Sequence, residues 1–145
     1  MKKKRGKNMI NFKQKLDKLD IYAEILSVAA TTEKIVFIKS PLIYGGAERY
    51  IILGYKLILE ASKEMLEHYD FSNSNEPEAI VKILGTNRVY PPWLTKSLAK
   101  NINYGILKNN EDLLLQMDKE KLYYLLDEFI KDFRHYRKFV LEYVI

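Results

Sequence analysis

The sequence predicts an all-α fold, an up-and-down bundle of about five helices. Three observations point to it. Apolar residues recur at steps of three and four through most of the 145 residues, the period of a buried helix face. Prolines 77 and 91–92 stand where helices would open. The one run that reads equally well as a strand, Ile35-Val36-Phe37-Ile38, has no partner strand elsewhere in the chain.

The first helix is expected over residues 10–30. Phe12, Leu16, Leu19, Tyr22, Leu26 and Ala29 form one stripe, with Lys15, Asp17, Lys18 and Asp20 between them. Thr31 and Thr32 offer a stop and then a cap. A short helix over residues 33–39 ends near Pro41. A long helix follows over residues 46–69, with Gly45-Gly46 as a flexible lead-in and Ala47, Tyr50, Ile51, Gly54, Leu57, Ile58, Ala61 and Met65 on its apolar face. Gly54 and Ala61 are small, so a neighbouring helix can come close there.

Residues 70–75 are a polar break. Pro77 then takes the first helical position, with Glu78 in the first turn, and Gly85 is the expected terminator. Pro91-Pro92 opens the next segment, where Trp93, Leu94, Leu98 and Ile102 keep a helical spacing. Gly105 and Lys108-Asn109-Asn110 weaken the pattern. Asp118 is positioned to cap the last helix, whose stripe is Leu122, Leu125, Phe129, Phe133, Tyr136, Val140 and Tyr143. With no repeat and no linker, the expected organisation is a basic disordered tail at residues 1–8 and a single helical domain over residues 9–145.

Composition narrows the function classes. Lys and Arg number 24 against 19 acidic residues, a net charge of +5. Lys2, Lys3, Lys4, Arg5 and Lys7 carry all of that excess, so the rest of the chain is neutral. The charge therefore describes a tail and does not by itself mark a nucleic-acid-binding domain. Cysteine is absent, which excludes disulfides, thiolate metal sites and cysteine nucleophiles. His68 and His135 are far apart, without metal-ligand spacing. No apolar run is long enough to span a bilayer, no signal peptide is evident, and the expected location is the cytoplasm.

No serine lies in a nucleophile-elbow setting, and Gly45-Gly46 lacks the spacing of a phosphate-binding loop. Glu64/Glu67 and Asp127/Asp132 read as charged helix faces, and both histidines as surface residues, His68 closing the long helix. The eleven tyrosines favour helix packing plus a homodimer interface over base stacking, because the body carries no excess positive charge.

Laid out in order, these segments resemble a family, the HepT-like branch of the HEPN domains, over residues 11–143. The landmarks are Leu16, Leu19 and Tyr22 in the first helix; Ala47-Glu48-Arg49-Tyr50 opening the long helix; Arg88-Val89-Tyr90-Pro91-Pro92-Trp93-Leu94; and Asp118-Lys119-Glu120-Lys121-Leu122-Tyr123. The resemblance implies a homodimeric ribonuclease toxin that needs no metal or cofactor. It also implies pairing with a small nucleotidyltransferase antitoxin that adenylylates a tyrosine. The family's active site is an Arg, four to six residues, a His, and a Tyr two positions later.

That motif falls on residues 107–114, which contain no Arg, His or Tyr. The positions that match it are Leu107 or Lys108 for the Arg and Asp112 for the His. Lys108 and Asp112 are thus the candidate catalytic residues, and Lys108, Asn109 and Asn110 the candidate RNA contacts. A lysine can hold a phosphate as a point charge, but a carboxylate beside a phosphate repels it. The expected function is an RNA-directed toxin subunit with an altered site. The alternative is a catalytically inactive helical adaptor that partners a nucleotidyltransferase.

Overall fold

The computed structural model describes residues 5–106 and 114–145, with side chains from residue 11 onward. Among the described residues, six α-helices carry the fold and no strand occurs. They are α1 (Arg5–Ala30), α2 (Lys34–Lys39), α3 (Pro41–His68), α4 (Pro77–Thr86), α5 (Pro92–Asn101) and α6 (Lys119–Val144). A 3-10 turn, Ile102–Gly105, extends α5.

The predicted stripes are the packing faces. Phe12, Leu16, Leu19, Ala23 and Leu26 of α1 are buried against α3 and α6. Asp17 bonds Arg137, Glu24 bonds Arg134 and Lys34 bonds Glu120, so the chain's first long helix runs antiparallel to its last. On α6, Leu122, Leu126, Phe129, Phe133, Tyr136 and Val140 face the core. The small residue predicted on α3 has its counterpart there. A Cβ on Gly54 would be driven into the ring of Phe133, so the ring occupies the notch that the glycine leaves. Helices α4 and α5 pack on each other and close the bundle beside α3 and α6.

Caps behave partly as expected. Asp118 accepts from Lys121 N at 3.1 Å, and Pro41, Pro77 and Pro92 open α3, α4 and α5. Three local expectations are corrected. Pro41 starts α3 well before residue 46, so Gly45 and Gly46 lie inside the helix, where a Cβ on either would meet open space. Thr31 and Thr32 both bond back to α1, to the carbonyls of Val28 and Ala29, and neither caps α2. Gly85 does not end α4; it lies in the helix where Thr95 of α5 comes against it.

Two non-glycine residues in the left-handed region end α3 and α4 instead: Asp70 (φ 57°) and Arg88 (φ 62°). Each is followed by a residue whose N–H reaches back a full turn, Phe71 to Leu66 O at 2.9 Å and Val89 to Leu84 O at 3.0 Å. Paired with the bonds from Asp70 to Glu67 and from Arg88 to Gly85, these are Schellman closures.

Candidate functional site

Lys108, Asn109, Asn110 and Asp112, the residues on which the sequence places catalysis and RNA contact, lie outside the described residues. The frame on either side of them is described. Upstream, Gly105 is buried against the backbone of α3; a Cβ there would lie 2.5 Å from Lys56 N and 2.7 Å from the carbonyl carbon of Tyr55. No other residue fits so close an approach, which pins the end of the 3-10 turn to the middle of α3. Downstream, Leu114 is fully buried, and its carbonyl accepts from Met117 N at 3.1 Å just before the Asp118 cap. The described residues on either side of the candidate segment are thus both fixed to the bundle.

Beside the upstream point lies a buried polar cluster that joins three helices. Asp132 of α6, 2% exposed, accepts from Tyr55 Oη of α3 at 2.6 Å. It also accepts from Ser97 Oγ and, at 3.0 Å, from Asn101 Nδ2, both of α5. Asn101 donates a second bond to Glu128 at 2.9 Å, and Glu128 pairs with Lys100 at 3.1 Å on the surface. Burial pushes the Asp132 carboxyl above its usual range, against the pull of its three donors. Burial likewise pushes the Tyr55 hydroxyl well up, helped by the carboxylate beside it.

Tyr104, on the 3-10 turn, stands against Tyr55 and Phe129 and is also raised by burial. The cluster therefore fixes α5 and the turn that leads into the candidate segment. Its core at Asp132 is enclosed, with the Tyr55, Ser97 and Asn101 donors spent on carboxylates, so it positions other residues.

Asp132 was expected on a charged face and is buried instead. The signal for it was present: it follows Phe129 by three and precedes Tyr136 by four, inside the apolar arc of α6. Glu48, within the Ala47-Glu48-Arg49-Tyr50 landmark, is buried as well. It bonds Lys119 Nζ, which also sits 4.9 Å from the centre of the Tyr44 ring. This pair ties the start of α3 to the start of α6.

The two histidines do not converge with Arg134 or Arg137. His68 ends α3 edge-on to Tyr69, with ring centres 4.7 Å apart. His135 stands edge-on to Trp93 of α5 at 5.0 Å, while its neighbours Arg134 and Arg137 turn to Glu24 and Asp17 of α1. Among the described residues, no three His, Asp or Glu side chains group closely enough to hold a metal ion. No described helix is long and apolar enough to cross a membrane.

The tyrosines are mostly internal. Tyr55, Tyr90 and Tyr136 are buried, and only Tyr124 and Tyr143 are exposed. The hydroxyls of Tyr90 and Tyr123 donate to carbonyls of Val81 and Thr32, and that of Tyr136 pairs with Ser62. Helix packing therefore uses most of them.

No family model and no curated protein matches the chain. Among solved structures it is similar to YutE of Bacillus subtilis, a cytosolic protein of unknown function. The TM-score is 0.70 at 20% identity, over 90% of this chain and 89% of that one. At that identity the likeness is one of fold.

Proposed function

We propose that this chain is a HepT-like subunit of a toxin–antitoxin-type module, directed at RNA, homodimeric, cytoplasmic, and paired with a nucleotidyltransferase. What supports this reading is the landmarks' arrangement. Leu16 and Leu19 face the core from α1. Glu48 of the second landmark meets Lys119 of the last one. Gly105, just ahead of the residues that match the family's motif, seats the turn that leads into the candidate segment.

One observation favours RNA binding without cleavage. Where arginine and histidine are neighbours in sequence, Arg134 faces α1 and His135 faces α5, so this pair does not meet over a common phosphate. The second reading, a catalytically inactive binding subunit, draws its support from the same geometry.

Purified full-length protein incubated with single-stranded and structured RNA, without added metal, separates the two. Cleavage that disappears in Lys108→Ala and Asp112→Ala supports a rebuilt nuclease site. Binding with intact RNA supports the binding subunit. Protein that neither binds nor cleaves RNA ends the RNA-directed reading. A strictly monomeric mass in solution ends the dimer.

A further inference from the structure

The neutral body hides an uneven surface. Helices α4 and α5 cross closely because Gly85 lets Thr95 come against it, and they leave an open groove of about 740 Å³. Its polar walls are Lys82, Thr86, Thr95, Lys96 and Lys100, with Glu78 as the one acid. Three lysines and one glutamate thus line the groove, and Asn103 already donates to the Glu78 carboxylate at 3.2 Å. Lys100 is shared with Glu128.

Lys82 and Lys96 have no ion pair or hydrogen bond among the described residues. Two such lysines, one from each helix lining a single groove, make an arrangement that attracts a polyanion.

An aromatic platform adjoins it. Trp93 follows Pro92 of the groove wall and precedes Lys96 by one turn, and Lys100 lies a further turn on, about 6 Å along the axis. Trp93 is 54% exposed, far from the burial that its helical spacing predicts. Edge contacts from His135 and Phe139 of α6 hold its indole in place. A fixed, half-exposed indole beside a row of cations combines the two elements of single-strand recognition, phosphate neutralisation and base stacking.

We propose that the α4–α5 groove binds single-stranded RNA, with Lys82 and Lys96 on phosphates and Trp93 stacked on an unpaired base. The proposal deepens the RNA-directed reading and rests on it. It assigns the RNA contact to residues other than the N-terminal lysines and the Lys108–Asp112 segment. A duplex keeps its bases paired and offers the indole no face, so a single strand is the ligand the site fits.

Trp93 is the only tryptophan of the chain, so its fluorescence reports on this site alone. Full-length protein is titrated with a mixed-sequence 12-nucleotide single-stranded RNA, following tryptophan emission and the anisotropy of a dye on the RNA. Expected are quenching that tracks the anisotropy and a loss of about tenfold in affinity in Lys82→Ala/Lys96→Ala. The slope of log K against log salt should become shallower by about 1.4, since each phosphate contact to a single strand contributes about 0.7. A melting curve unchanged from the parent shows that the double variant is folded.

Binding seen by anisotropy with unquenched Trp93 and unaltered affinity in the double variant overturns the groove and leaves the RNA-directed reading standing. Loss of binding in Lys2→Gln/Lys3→Gln/Lys4→Gln, with the groove variant unaffected, assigns the contact to the N-terminal segment and also overturns the groove. Absence of any RNA binding overturns both.

Discussion

Asp132→Ala is the sharpest test of how the bundle is held together. The substitution removes the acceptor for Tyr55 Oη, Ser97 Oγ and Asn101 Nδ2. Ser97 is half-buried and can turn to water, and Asn101 keeps Glu128. Tyr55 is fully buried, so its hydroxyl carries most of the loss. An orphaned buried donor costs about 1–3 kcal/mol, and the bonds lost here were made to a carboxylate, which are the stronger kind. Release from burying that carboxylate offsets part of this. The net destabilisation should be about 2–4 kcal/mol, a fall in Tm of roughly 5–15 °C.

Urea and thermal unfolding by circular dichroism measure it. Tyr55→Phe alone should cost about 1–2 kcal/mol, and the double variant less than the two singles added, by about 0.5–3 kcal/mol. pH adds an independent arm. The folded-state pKa of Asp132 is raised, so the protonated form favours the folded state. Relative to Asp132→Asn, the stability this residue contributes is fully present below its unfolded pKa of about 3.9 and is lost as pH rises through the folded value. Strict additivity of the two substitutions, or a cost of Asp132→Ala under about 0.5 kcal/mol, would refute the account of a coupled buried cluster.

Other substitutions probe the glycines, the helix ends and the second buried acid. Gly46→Ala should stabilise by about 0.5–1 kcal/mol, because it adds helix propensity into open space, whereas Gly54→Ala should destabilise by about 1–3 kcal/mol by forcing Phe133 out of its notch; paired melting curves compare the signs. Arg88→Gly should raise stability by about 0.5–1 kcal/mol by relieving a left-handed residue, read as a higher midpoint in urea. Lys119→Met leaves Glu48 buried without its cation and should cost about 2–4 kcal/mol, most of which Glu48→Gln in the same chain should restore.

The long helices are readable in the sequence because their burial is periodic. Leu16 and Leu19, Ile51 and Ile58, Phe129 and Phe133 recur at helical steps and all end in the core. Even the close approach at Gly54 follows from a small residue on an apolar face. What stays hidden has a common cause, that a residue's meaning depends on an unseen neighbour.

Asp132 reads as surface because carboxylates usually are, until α5 and α3 bring it three donors. Gly45-Gly46 reads as a loop because glycine is a poor helix former, yet the 28-residue helix begun at Pro41 runs through both. Gly85 reads as a terminator because glycine is common there, while the left-handed conformation falls instead to Arg88. In the candidate site, the frame was partly foreseeable from Gly105 and Asp118. The groove was not, since Lys82 and Lys96 come from different helices and cancel elsewhere in the overall charge.

The antiparallel pairing of α1 with α6 has a consequence for synthesis. Half of the lining that α1 needs is made only after α2, α3, α4 and α5. As it leaves the ribosome, the nascent protein can fold α1 against α3, but the Gly54 notch stays empty and Tyr55 has no carboxylate to bond until α6 emerges. Translation must therefore pass the core residues of α6 before the core closes. A chain truncated before Phe129 would present a wet apolar seam, a target for chaperones and proteases rather than a smaller working protein.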